Sequence, residues 1–215
     1  MTMMGYVQAG GGSSRFGSDK ALSMLGGRTM LARTVSLVAS VCAEVKIVAP
    51  VGRYADAPAL ILADRWPGQG PLGGILTALH HLNQQQASPA GARVTEHGPY
   101  SHALIISCDL PFLTPGWLAF LCQRALRGDA QVVVPQSATG LEPLCACWRS
   151  DAAGPLQAAF DSGIRKVTEA MKRLKMETLD EPVWKRFDTD GRLFWNMNTA
   201  MDHEEARRIL EVKEQ

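Results

Sequence analysis

A chain of 215 residues, 46% hydrophobic and 20% charged, is long enough for one domain that buries roughly 70% of its unfolded surface without disulfide or metal staples. A formal net charge of +1 excludes the broad basic footprint of a nucleic-acid-binding protein, so any anion site must be local. No apolar run reaches the roughly 18 residues of a membrane span, and residues 1–6 lack the parts of a signal peptide, so neither membrane nor nucleic acid is expected as a partner.

The first strand is expected at Tyr6-Val7, and it runs into a glycine-rich stretch. That stretch reads Gln8-Ala9-Gly10-Gly11-Gly12-Ser13-Ser14-Arg15-Phe16-Gly17-Ser18-Asp19-Lys20. Consecutive glycines let backbone N–H groups approach an anion that a Cβ would hold away, and Arg15 and Lys20 add charge where a polyphosphate would lie. An ordinary Gly/Ser turn is the competing reading, which the two cations disfavour. The stretch is neither a Walker A loop, because Lys20 precedes Ala21, nor a dinucleotide fingerprint, because Arg15 stands where the third glycine belongs.

Residues 30–39 follow with a helical apolar pattern, then strands at 45–49 and 60–63. Between Asp64 and Ile75 lies Pro67-Gly68-Gln69-Gly70-Pro71-Leu72-Gly73-Gly74, leading into a helix with Ile75, Leu76, Leu79 and Leu82 on one face. Two glycines in a first helical turn cost about 1 kcal/mol each against alanine, so Gly73 and Gly74 imply that something needs the space. His80 and His81 share that helix, and at least one is expected to face solvent. Residues 84–100 lack periodicity and are read as an exposed, mobile insertion.

The run 103–108 is continuously apolar, as central parallel strands are, and Asp109 ends it ahead of Leu110-Pro111. A carboxylate there has two open readings: a hard-oxygen ligand for Mg²⁺ or a cap on the following turn. Thr114-Pro115 and Gly128 bracket a third helix, and strands are expected at 132–134 and 144–148. Cys145 and Cys147, spaced i and i+2, fall on one face of that last strand as core residues. Five cysteines without zinc-ligand spacing predict the reducing cytoplasm. Asn196-Met197-Asn198-Thr199 precedes a charged helix at about 202–213, where the asparagines and threonine are either further ligands or helix caps. Strands alternating with helices predict a single α/β domain with a mostly parallel sheet, helices on both faces, and ligands beyond the carboxyl ends of the strands.

With these segments in order, the sequence resembles the molybdenum cofactor guanylyltransferases over nearly its whole length. The signature L-A-G-G-x-S-x-R-M-G-x-D-K is met by residues 8–20, G-P-L-x-G-I by residues 70–75, C-D-x-P by residues 108–111, and N-x-N-T-P by residues 196–200. Gln8, Phe16 and Ala200 stand where that family has leucine, methionine and proline. The resemblance implies a Rossmann-like nucleotidyltransferase that joins GMP to molybdenum-molybdopterin and releases pyrophosphate. It implies Arg15, Lys20 and Asp109 as catalytic residues, with Asp109 holding Mg²⁺. It implies nucleotide contacts from Ala9, Gly10, Gly11, Gly12, Ser14, Lys20, Asp64, Gly73, Gly74 and Asn198, with Ala9, Gly10, Gly11, Gly73 and Gly74 around the guanine. Related cytidylyltransferases carry Ala-Ala-Gly where this chain has Ala9-Gly10-Gly11, which favours a purine. Molybdoenzyme apoproteins or other cofactor-biosynthesis proteins are expected partners, and the basic residues Arg165-Lys166 and Lys172-Arg173 are candidates for holding the pterin. The rivals are a relative using CTP or another phosphate acceptor, and a non-catalytic cofactor-delivery protein.

Overall fold

Gln8, Ala49, Ala63 and Ser107 all end parallel strands, and the architecture follows from how the chain brings those ends to one edge. The computed structural model describes residues 2–10, 19–87 and 100–213. The chain enters through β1 (Thr2–Gln8) and passes a small hairpin, β2 (Met24–Leu25) and β3 (Arg28–Thr29). It continues through α1 (Met30–Ala39), β4 (Glu44–Ala49), β5 (Leu60–Ala63) and α2 (Pro71–Ala87). Next come β6 (Tyr100–Ser107), α3 (Pro115–Arg127), β7 (Val132–Ser137), β8 (Gly140–Leu141) and β9 (Cys145–Arg149). The remainder holds α4 (Ala153–Asp161), α5 (Val167–Ala170), β10 (Met176–Leu179), α6 (Glu181–Trp184) and the terminal α7 (Ala200–Lys213).

The sheet order is β10-β7-β9-β6-β1-β4-β5, with β8 paired to β7. β1 lies parallel to β4 and β6, β5 parallel to β4, and β10 parallel to β7. β9 runs antiparallel to both β6 and β7. Because β9 is reversed, Leu144 at its start reaches the same edge as the ends of β1, β4 and β6.

Both faces of the sheet are covered. Met3 and Val7 of β1 with Leu104 and Ile106 of β6 pack under α1 and α3, while Met4, Tyr6, Ala103 and Ile105 pack under α2 and α4. Strands buried on both faces read as continuous apolar runs, and each Leu or Ile so buried contributes roughly 1.5–3 kcal/mol. Local signals set the helix ends. Thr29 Oγ1 accepts from Ala32 N at 3.1 Å, and Thr114 Oγ1 accepts from Trp117 N at 3.2 Å with Pro115 in the first turn. All five cysteines are buried free thiols, Cys145 and Cys147 on one face as expected. Among the described residues no helix is long and apolar enough to cross a membrane.

Two expectations need correction. The segment 84–100 is too wide: α2 continues to Ala87, and β6 begins at Tyr100, which is buried and donates its hydroxyl to Glu44 Oε1 at 3.0 Å. The glutamines 84–86 form the polar last turns of α2, and polar residues on an outer face leave no apolar signal. Residues 88–99 lie outside the described residues. Nor does either histidine face solvent fully: both are half-buried and engaged. His80 Nε2 meets Gln157 Oε1 at 2.9 Å, and His81 Nδ1 meets Tyr6 OH at 2.9 Å, because α4 and β1 close over that helix face. Burial holds the His81 imidazole below its ordinary pKa.

Candidate active site

A cleft of about 400 Å³ opens at the carboxyl edge of the sheet. Its walls include Ala9, Gly10, Lys20, Asp64, Asp109 and Leu144. This is where parallel α/β sheets hold their ligands. Gly11, Gly12, Ser14 and Arg15 lie outside the described residues.

The two ends of the glycine-rich stretch are well placed. Ala9 N donates to Val48 O at 2.9 Å, extending the β1–β4 ladder by one bond. Gly10 has φ +95°, and a Cβ there would lie 2.5 Å from Pro50 Cδ, so only glycine fits. At the far end, Asp19 caps the turn of residues 20–22, its Oδ1 accepting from Ala21 N at 3.1 Å. Asp19 Oδ2 accepts from Tyr54 OH at 2.9 Å and pairs with Arg53 Nε at 3.2 Å. Asp19 belongs to the cleft wall, and reading the sequence missed it. The signal was present as an acidic residue directly before the cationic Lys20.

Lys20 Nζ donates to Asn198 Oδ1 at 2.9 Å, joining the first and last motifs of the chain. Asn198 is held there by its neighbours. Asp202 Oδ2 accepts from Asn198 N at 2.8 Å and Thr199 N at 2.7 Å, while Thr199 Oγ1 accepts from Asp202 N at 3.1 Å. This reciprocal cap fixes the start of α7 and Asn198 together, so the ligand and capping readings of this motif are compatible. Burial acts to raise the Asp202 pKa, but the N–H groups of Asn198 and Thr199 outweigh it and hold the carboxyl below its ordinary value. The capping contribution is therefore present above the ordinary carboxylate pKa of about 4 and is lost as pH falls through the depressed value. Asp202→Ala is expected to destabilise the fold by about 1 kcal/mol at pH 7 and to remove the matching acid-limb loss; paired denaturation curves at pH 7 and pH 3 check it.

Asp109 follows β6 and stands on the cleft. Its carboxylate Oδ1 is buried without a hydrogen-bond partner, while its carbonyl accepts from Met197 N at 2.9 Å. A turn cap would use that oxygen on a backbone N–H, so the capping reading is disfavoured. A buried, unpartnered carboxylate oxygen is costly unless a cation completes it. Among the described residues no group of three or more His, Cys, Asp or Glu could hold a metal unaided. One carboxylate plus substrate phosphates is nevertheless a common magnesium environment, and Asp109 fits it. Burial first, then the charges of Asp109 and Asp19, push the neighbouring Cys108 thiol up to about 12, which leaves it unreactive.

Asp64 N donates to Ala49 O at 2.8 Å, and Asp64 Oδ1 accepts from Trp66 N at 3.0 Å and Thr77 Oγ1 at 3.1 Å. These bonds hold the loop 64–70 that carries Gly68 and Gly70 along the cleft wall. Gly73 and Gly74 are placed differently from the expectation that they surround a base: both are buried behind the wall. A Cβ on Gly73 would sit 3.1 Å from Trp66, and one on Gly74 would sit 2.2 Å from Gln8 Nε2. The space they leave is filled by the protein itself, with Gln8 Nε2 donating to Pro71 O at 3.3 Å. Because the overlap is with the flexible end of Gln8 rather than with backbone, Gly74→Ala is expected to displace that amide and change stability by less than about 1 kcal/mol in thermal melts, helped by alanine's better helix propensity.

Two of the basic residues downstream, Arg165 and Lys172, are also engaged. Arg165 donates to Phe160 O at 2.6 Å and Gln69 Oε1 at 2.8 Å, bracing the 64–70 loop. Lys172 pairs with Glu169.

A mostly parallel sheet whose carboxyl edge brings together Gly10, Lys20 and an unpartnered Asp109 oxygen suits a nucleotidyltransferase-type domain. The family model described as "MobA-like NTP transferase domain" matches residues 5–176. A probable molybdenum cofactor guanylyltransferase of Chloroflexus aggregans is 34% identical, covering 94% of this chain and 92% of its own. A molybdenum cofactor guanylyltransferase of Sinorhizobium fredii is 35% identical, covering 95% of this chain and 90% of its own. The crystal structure of molybdopterin-guanine dinucleotide biosynthesis protein A from Archaeoglobus fulgidus shares the fold, with TM-score 0.79 and 24% identity over 98% of this chain and 100% of that one. The chain belongs to the MobA-like NTP transferase family, among the molybdenum cofactor guanylyltransferases.

Proposed function

We propose that the protein transfers GMP from GTP to molybdenum-molybdopterin, forming the guanine dinucleotide cofactor and pyrophosphate. The observation that carries this reading is the meeting of Lys20 and the unpartnered Asp109 oxygen at one cleft, with Asn198 held to Lys20. The terminal phosphate oxygen of the pterin attacks the α-phosphorus of GTP; one P–O bond forms as the bond to pyrophosphate breaks. Lys20, with Arg15, balances the charge of the departing phosphates. Asn198 orients Lys20, and Asp64 shapes the wall against which the nucleotide lies. Asp109 would hold Mg²⁺, which when bound neutralises charge on the phosphate oxygens. The chain's own part is positioning and charge stabilisation rather than covalent catalysis. Five buried free thiols agree with a reducing compartment such as the cytoplasm, where cofactor-biosynthesis proteins and recipient apoenzymes would be partners.

The scaffold alone does not choose the base. A cytidylyltransferase from Thermus thermophilus shares it with TM-score 0.68 at 15% identity, over 98% of this chain and 100% of that one. The test is pyrophosphate release with Mg²⁺ and molybdenum cofactor, with GTP and CTP supplied in parallel. Release with GTP alone is expected. Release with CTP alone overturns the guanine reading, and release with neither overturns the transferase reaction on this acceptor.

A further inference from the structure

Arg53 and Tyr54, in the loop between β4 and β5, lie outside the cleft wall but touch Gly10 and Asp19, the described residues at either end of the glycine-rich stretch, both of which line the cleft. Arg53 Nη1 donates to Gly10 O at 3.2 Å, and Arg53 Nε pairs with Asp19 Oδ2 at 3.2 Å. Tyr54 OH donates to that same Asp19 oxygen at 2.9 Å. Gly10 and Asp19 are nine positions apart, yet one dipeptide ties them both. Tyr54 is the one non-glycine residue with positive φ among the described residues, at +63°. A tyrosine held in the left-handed region is strained, and such strain persists only where surrounding contacts over-determine it. Here the contacts are its packing in the core beneath α1 and its bond to Asp19. Burial, and then the Asp19 carboxylate, push the Tyr54 phenol up, so it remains a donor across the working pH range.

We infer that Arg53 and Tyr54 are positioning residues for the nucleotide phosphates: they clamp Gly10 to Asp19 and thereby set the backbone and the placement of Lys20. Lys20 follows Asp19 directly, so a shift in the Asp19 carboxylate is carried to the cation. Arginine suits the task because its fork reaches a carbonyl and a carboxylate at once, which a lysine ammonium does not do with the same geometry. The inference rests on the reading of the cleft as a nucleotide site.

The test uses the full chain with Arg53→Lys, Arg53→Gln and Tyr54→Phe. Calorimetry with Mg²⁺ gives nucleotide affinity, steady-state pyrophosphate release gives KM and kcat, and amide exchange is followed at Ala21 and Leu22 without nucleotide. For Arg53→Gln, Kd and KM for GTP are expected to rise about tenfold while kcat changes less than about twofold. Tyr54→Phe is expected to raise them roughly threefold, and Arg53→Lys to fall between the two. Exchange at Ala21 and Leu22 should quicken in the same order. If the wild-type protein binds CTP in place of GTP, the same rise read with CTP supports the clamp while the guanine reading falls. Unchanged affinity and exchange in all three variants overturn the clamp and leave the reaction intact. A lower melting temperature with unchanged KM also overturns it, since that is the signature of a merely structural pair.

Discussion

Asp109→Asn is expected to lower turnover on the order of a hundredfold or more at saturating Mg²⁺, while GTP affinity stays within about threefold of wild type. The carboxylate follows β6, and one of its oxygens is buried with no partner in the protein. The substitution keeps the shape and removes the charge. A group whose contribution is electrostatic at the reacting phosphate should therefore lose kcat more than it loses binding. A second measurement separates function from folding. A neutral amide is less costly to leave unpaired than a carboxylate, so the variant should melt at or above the wild-type temperature. Wild-type turnover in Asp109→Asn would remove the metal assignment from this residue, and a large fall in melting temperature would mean that the carboxylate supports the fold instead.

Lys20→Ala is expected to reduce kcat/KM for GTP on the order of a hundred- to a thousandfold. The lysine stands on the cleft wall, next to the anchored Asp19 and hydrogen-bonded to Asn198. Removing it deletes the positive charge that the triphosphate meets and releases Asn198 from its orientation. Asn198→Ala should cost about tenfold, because the charge remains and only its direction is loosened. The double variant should fall short of the product of the two single effects, since they share one hydrogen bond. Steady-state kinetics on the four proteins provide the cycle. A full multiplicative loss would show that Lys20 and Asn198 act independently, so that the bond between them does not matter to the reaction.

Much of this domain was legible locally. The helix at 30–39, the strand at 60–63, and the bracketing of α3 by Thr114, Pro115 and Gly128 follow from periodicity and capping, which act over a few residues. The burial of 103–107 on both faces was visible as an unbroken apolar run. Several elements were not visible. β2 and β3 are two residues each, too short for any period, and β10 pairs with β7 across intervening chain. The last turns of α2 carry glutamines that look like loop by composition.

The candidate site divides in the same way. Lys20, Asp64, Asp109 and Asn198 were named from motifs, and all except Asn198 form the wall of one cleft, with Asn198 reaching it through Lys20. Gly73 and Gly74 were read correctly as positions where space is needed. The occupant is Trp66 and Gln8, which composition cannot reveal because it depends on which side chains cross from β1 and the 64–70 loop. Arg53 and Tyr54 were passed over, since nothing in their own neighbourhood ties them to the site until their partners are known, and Asp19 was missed although it directly precedes Lys20.

By itself, the sequence determined the class of fold, the family and the residues with the right chemistry, because strand and helix patterns, caps and clustered glycines are short-range properties. Only the tertiary structure decided which of those residues meet. Lys20 and Asn198 are 178 positions apart, and Arg53 reaches Gly10 across 43. Contacts of that span exist only after the parallel sheet has brought its strand ends to a common edge, a step governed by burial of both faces at once rather than by any local signal.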